Sequence, residues 1–141
     1  MALENPSREQ IKVLLANAGN IAVVGLSDNP DRTSHMVAAA MQSRGYRIIP
    51  VNPNATEILG EKSYASLSDI PEPVDIVNVF RRADQVVPIA EEAVKIKAKV
   101  FWLQLDIINE EAGQIAKDAG LEVIMDRCIK VEDAILNPRN N

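Results

Sequence analysis

Short apolar runs alternate along this chain with stretches of helical period. The runs are Ile21–Val24, Tyr46–Val51, Val74–Phe80, Lys99–Leu105 and Leu121–Met125. Between them lie a helical pattern from His35 to Ser43, a wide apolar face across Asp84 to Lys97, and a stretch from Asn109 to Lys117. Strands separated by helices must pair in parallel through crossovers, which places helices on both faces of one sheet. The expected architecture is therefore α/β, a Rossmann-like three-layer sandwich with a mostly parallel sheet of five or six strands. The sixth candidate is a turn and short strand within Glu57–Tyr64, and Ser66–Pro71 reads as a helical turn. Ahead of the first strand, Ser7 and Gln10 have the spacing of a capping box, and Ile11, Leu14, Leu15 and Ala18 follow at helical intervals. A last short helix is expected over Val131–Leu136. No Gly- or Ser-rich linker divides the chain, so residues 1–141 read as one domain, with 1–6 and 137–141 expected to fray.

The turn after the first strand carries the chemistry. Ile21-Ala22-Val23-Val24 ends in Gly25, and Leu26, Ser27, Asp28, Asn29, Pro30, Asp31, Arg32, Thr33 and Ser34 lead into the helix. Strand, polar loop and helix start form a geometry that cradles phosphate. The first N–H groups of a helix have no intrahelical partner, and the macrodipole adds partial positive charge there. An ordinary solvated loop would carry the same residue types. The loop departs from the dinucleotide fingerprint GxGxxG, since its three positions read Gly25, Ser27 and Pro30. The second strand ends Val51-Asn52-Pro53, without the carboxylate that fingerprint places at its tip.

The other strand tips add cations. Phe80 is followed by Arg81 and Arg82, useful for phosphate and equally at home as a solvated pair. Gln104 ends the fourth run among apolar neighbours, where it could bond the local backbone or face a ligand. The chain as a whole is acidic, with a net charge of −5, and only 4% of its residues are aromatic. Both figures argue against nucleic-acid or anionic-membrane binding, while leaving room for a phosphorylated small molecule held by a local basic cluster. A single cysteine excludes an internal disulfide, and no apolar run approaches membrane-spanning length. The N-terminus lacks the basic and apolar segments of a signal peptide, so a cytoplasmic protein is expected.

Taken together, GLSDNPDRTS, PVNPNATEILGEKSYASLSDIPEPVDIV, the FRR step and WLQL resemble the family of small stand-alone coenzyme A-binding proteins. They also resemble the CoA-binding domain of ADP-forming acyl-CoA synthetases and of the succinyl-CoA synthetase α subunit. The resemblance implies CoA or acyl-CoA lying across the carboxyl ends of the strands. It places Gly25, Leu26 and Ser27 where the backbone approaches the ligand, and Arg32 and Ser34 at phosphates. Val51, Asn52 and Pro53 would line the adenosine side. Phe80, Arg81 and Arg82 would follow the path from pantetheine to phosphate, and Gln104 would face the open end of the cleft. A homodimer is also allowed for.

No catalytic constellation accompanies this site. The only histidine, His35, starts a helix and lies outside the segment that carries the synthetases' phosphohistidine, so that role does not transfer to it. No His/Cys/Asp cluster has metal-ligand spacing. Cys128, with Arg127 and Lys130 near it in sequence, reads first as a buried structural cysteine and second as a partner for the CoA thiol. A non-catalytic CoA-binding protein is thus the leading expectation. The alternatives are an NAD(P)-dependent oxidoreductase and a CoA-binding subunit of a separately encoded acyl-CoA synthetase.

Overall fold

The structure is a computed structural model that describes residues 3–139. Five strands form one sheet, β1 (Asn20–Val24), β2 (Arg47–Val51), β5 (Ile76–Val79), β6 (Val100–Leu103) and β7 (Glu122–Ile124), in the order β2-β1-β5-β6-β7. Every neighbouring pair is parallel. The expected sixth strand belongs to a separate hairpin, β3 (Glu57–Ile58) with β4 (Glu61–Lys62). Its two-residue turn, Leu59-Gly60, holds both residues at positive φ (56° and 76°), as a tight hairpin loop requires.

Both faces of this sheet are buried, which explains why its strands read as nearly continuous apolar runs. Ala22, Val24, Ile49, Val77, Val79, Phe101, Leu103 and Val123 point to one side and pack under α3 (Val87–Lys95) and α4 (Glu110–Asp118). Ile21, Val23, Ile48, Ile76, Val100, Trp102 and Ile124 point to the other side, under α1 (Arg8–Ala16), α2 (Thr33–Ser43) and α5 (Ile129–Leu136). Trp102 is fully buried, and its indole N–H donates to the Arg127 carbonyl at 2.8 Å. That bond satisfies the one polar atom of the largest core side chain and ties β6 to the segment leading into α5.

Several boundaries move from where the sequence puts them. The helix expected from Asp84 begins at Val87, after a 3-10 turn at Ala83–Gln85. Pro88 explains the shift: it lacks an N–H and so fits the first turn, where it now lies. The fourth strand stops at Leu103, and Asp106, at φ 70°, lies in the turn that follows. Helices α2 and α5 start two residues earlier than expected, at Thr33 and Ile129, so Cys128 becomes the N-cap position of α5. The capping box forms: Ser7 Oγ accepts from Gln10 N–H, and Gln10 Oε1 accepts from Ser7 N–H.

The expectation of frayed ends falls outside the described residues at 1–2 and 140–141. Within them, Asn5 brackets Met125, its Nδ2 donating to the carbonyl (2.9 Å) and its Oδ1 accepting from the N–H (2.8 Å). At the other end Arg139 stacks over the Tyr46 ring, 4.0 Å from its centre, and donates to the Ala18 carbonyl.

Two buried carboxylates on α5 seat that helix. Glu132 accepts two bonds from Arg8 of α1, at 3.2 and 3.1 Å. Asp133 accepts from the Tyr46 hydroxyl at 2.6 Å and from Arg44 at 3.3 Å. The helix is therefore held against α1, α2 and the entry to β2 by charge-assisted bonds, the stronger class of hydrogen bond. Its N-terminal end, with Cys128, faces the carboxyl ends of the strands.

Candidate functional site

Strand β1 lies between β2 and β5, and the chain winds in opposite directions from that point. Such a switch opens a crevice at the carboxyl ends of the two central strands. Here a cleft of about 460 Å³ occupies that place, lined from β1 and α2 by Gly25, Ser27, Arg32, Thr33 and Ser34. From the ends of β5 and β6 come Phe80, Arg81, Gln104, Leu105, Asp106 and Ile107, and Cys128 completes the wall.

Gly25 sets the geometry of the entrance. Its φ is 85°, and a Cβ added to it would stand 2.4 Å from the Phe80 carbonyl oxygen. Only glycine lets the tips of β1 and β5 come this close while keeping the left-handed turn. Beyond it the loop is held by its own polar groups. Ser27 N–H donates to Ser34 Oγ (3.0 Å), Ser27 Oγ accepts from Asn29 N–H (3.1 Å), and Asn29 Oδ1 accepts from Asp31 N–H (2.9 Å). His35 Nδ1 lies 2.9 Å from the Ser27 carbonyl, which can only accept, so Nδ1 carries the proton. The histidine is thereby a brace for the loop.

The start of α2 has no side-chain cap. Its N-cap position is Arg32, exposed and free of ion pairs among the described residues; α1 and α4 are capped by Ser7 and Asn109, while α3 and α5 also lack a side-chain cap. Unpaired first-turn N–H groups beside an arginine suit an anion chemically. Arg81 adds a second guanidinium, braced by Gln85 at 3.1 Å. Asp106 is the one carboxylate in the lining, so two cations face one anion there within an acidic protein.

The sequence-predicted residues divide. Gly25, Ser27, Arg32, Ser34, Phe80, Arg81 and Gln104 come together in the cleft. Leu26 turns its side chain fully into the core and leaves only its backbone at the loop. Val51 is buried in β2, and its carbonyl accepts from Gly25 N–H at 3.1 Å. Asn52 spends its side chain on structure, donating to the Leu26 carbonyl (2.9 Å) and accepting from Asn54 N–H (2.8 Å). Pro53 is exposed beside it and, like Asn52, outside the lining. Arg82 is paired with Asp84 through two bonds in open solvent and also lies outside. Gln104 is only 5% exposed and holds the cleft's inner wall.

The lining also contains Cys128, weighed from the sequence as a second reading, and Thr33, Leu105, Asp106 and Ile107, which pattern reading did not assign to it. Thr33 had a signal in its place between Arg32 and Ser34. The turn at Leu105–Ile107 had none, because a loop's path is set by what it packs against.

An open parallel sheet with helices on both faces and a cleft at its switch point defines a Rossmann-like domain. The chain belongs to the CoA binding domain family, whose pattern matches residues 19–134. It is 56% identical over 133 residues to an uncharacterized Bacillus subtilis protein, YneT, covering 94% of this chain and 98% of that one. A hypothetical protein from Pyrococcus horikoshii OT3 superposes with a TM-score of 0.91 at 35% identity, over 97% of this chain and 99% of that one. A 4-hydroxybutyrate–CoA ligase (ADP-forming) of Nitrosopumilus maritimus is 24% identical over 79% of this chain, which spans 18% of that enzyme. The relation to ADP-forming acyl-CoA synthetases thus lies within a single domain of the larger protein. No described helix is long and apolar enough to cross a membrane.

Proposed function

We propose that this protein binds coenzyme A or an acyl-CoA across the carboxyl edge of its sheet and has no catalytic machinery of its own there. The observation that carries this reading is the uncapped start of α2, with Arg32 as its N-cap and Arg81 opposite, at the point where Gly25 brings two strand tips together. CoA is strongly anionic at its adenine end, and guanidinium forks bind phosphate through paired bonds. In this reading Arg32, Thr33 and Ser34 hold the pyrophosphate, and the backbone at Gly25, Leu26 and Ser27 approaches it. Val51, Asn52 and Pro53 border the adenosine, with Arg82 as an outer cation. The arm runs past Phe80 and Gln104 toward Cys128.

An NAD-dependent dehydrogenase is disfavoured by the tip of β2. The position suited to a ribose-binding carboxylate is Asn52, whose side chain is committed to the Leu26 carbonyl and Asn54 N–H.

Replacing Arg32 with alanine removes a charge-assisted phosphate bond without disturbing any bond the arginine makes through its side chain among the described residues. Calorimetry should show CoA binding weakened by about tenfold or more, with a shallower dependence on salt than in the parent protein. Unchanged affinity and an unchanged salt slope would place the phosphates elsewhere.

A further inference from the structure

Two buried amides meet at the inner wall of the cleft. Asn78 in β5 is 1% exposed and Gln104 beyond β6 is 5% exposed. Both lie on the sheet face that carries Trp102, because residues 78, 102 and 104 share the strand alternation. Gln104 Oε1 accepts from Asn78 Nδ2 at 3.2 Å and from the backbone N–H of Ile129 at 3.3 Å. A backbone N–H can only donate, so the atom facing Ile129 is the oxygen and the amide cannot be turned round. Gln104 Nε2 then points away from both partners. It has no acceptor among the described residues, and Gln104 lines the cleft beside Cys128. No buried side-chain polar atom is left unpartnered among the described residues, so this Nε2 opens onto the cleft, where a group that enters can accept from it.

Resting on the CoA reading above, we infer that Gln104 Nε2 is a fixed donor to an amide carbonyl of the ligand's pantetheine arm. This donor lets the protein distinguish CoA from adenine nucleotides that lack the arm. The arm offers carbonyl oxygens and no anionic group, which suits a neutral donor set near the apolar Phe80, Leu105 and Ile107, with Asp106 between the last two. Asn78 and the start of α5 fix the amide's direction, so the donor is in place before the ligand arrives.

The test uses the full chain with CoA, acetyl-CoA and adenosine 3′,5′-bisphosphate. Gln104→Glu keeps the oxygen that Ile129 and Asn78 require and replaces the donor by a second oxygen. Its affinity for CoA should fall about tenfold relative to its affinity for the bisphosphate, and acetyl-CoA should fall equally. In 15N-labelled parent protein the Gln104 side-chain amide signal should move on adding CoA and stay in place with the bisphosphate, a readout that does not depend on the variant folding. Should both ligands lose affinity alike and the signal stay still with bound CoA, the inference fails while the CoA reading stands. A loss confined to acetyl-CoA would assign the donor to the thioester and overturn the amide assignment. If CoA does not bind the parent protein at all, the reading beneath it falls and this one with it.

Discussion

Gly25→Ala is expected to cost roughly 3 kcal/mol of stability and to abolish measurable CoA binding. Two effects add. A left-handed conformation at φ 85° costs any residue with a Cβ about 1–2 kcal/mol. The added carbon would also stand 2.4 Å from the Phe80 carbonyl oxygen, which belongs to the backbone and cannot swing aside. Relief requires β1 and β5 to part at their tips, where Phe80 N–H bonds the Val24 carbonyl. Parting them moves the loop that carries Arg32 and Ser34 away from Arg81. Gly60→Ala supplies the comparison: its φ is 76°, and nothing lies within 4 Å of the added carbon. That variant should lose only about 1 kcal/mol and bind CoA as the parent does. Denaturant titration of both proteins checks the difference, and equal losses would show that the close approach of β1 and β5 is not what requires glycine.

Tyr46→Phe should cost about 2 kcal/mol, through a carboxylate rather than a cavity. The phenol donates at 2.6 Å to Asp133, which is buried and, among the described residues, otherwise bonded through its side chain only by Arg44. Burial pushes the Tyr46 hydroxyl well above the usual tyrosine range, and its bond to Asp133 raises it further. A group whose pKa is raised on folding contributes stability that is intact below its unfolded value, about 10, and is lost as the pH climbs above it. The phenylalanine variant has no such proton to hold. The gap in stability between parent and variant should therefore be constant from pH 6 to 9 and narrow above about pH 10. A gap that persists undiminished at pH 11 would contradict the assignment. Because α5 forms one wall of the cleft at Cys128 and bonds Gln104 through Ile129, the variant should also weaken CoA binding modestly.

Much of the fold can be read from periodicity. Runs such as Ile21–Val24 are apolar at every position because both sheet faces are covered, and that pattern has few other solutions. The loop from Gly25 to Ser34 could be placed because strand, polar turn and helix start follow one another in the chain. Local rules also bear on misplaced details: Pro88 fixes the start of α3, and Asp84 stands two residues from the Arg82 it neutralises. Asn78 carried a signal too, since a lone amide inside Ile76-Val77-Asn78-Val79 must find a partner if the strand is central. Its partner could not be named, because Gln104 becomes its neighbour only once β5 pairs with β6. The clamp on α5 lies further out of reach: Arg8 and Glu132 are 124 residues apart, and no local pattern links them. Asn52 shows the opposite case, where a strand tip that looks available to a ligand turns out to be engaged by the loop beside it.

Calorimetric titration of the purified protein with CoA and with NAD, in the same buffer and salt, tests the central claim most directly. The anion-accepting start of α2, the engaged amide at the tip of β2 and the free donor on Gln104 together predict that CoA binds with single-site stoichiometry, at least tenfold more tightly than NAD. Equal affinity for the two, or tighter binding of NAD, would contradict it.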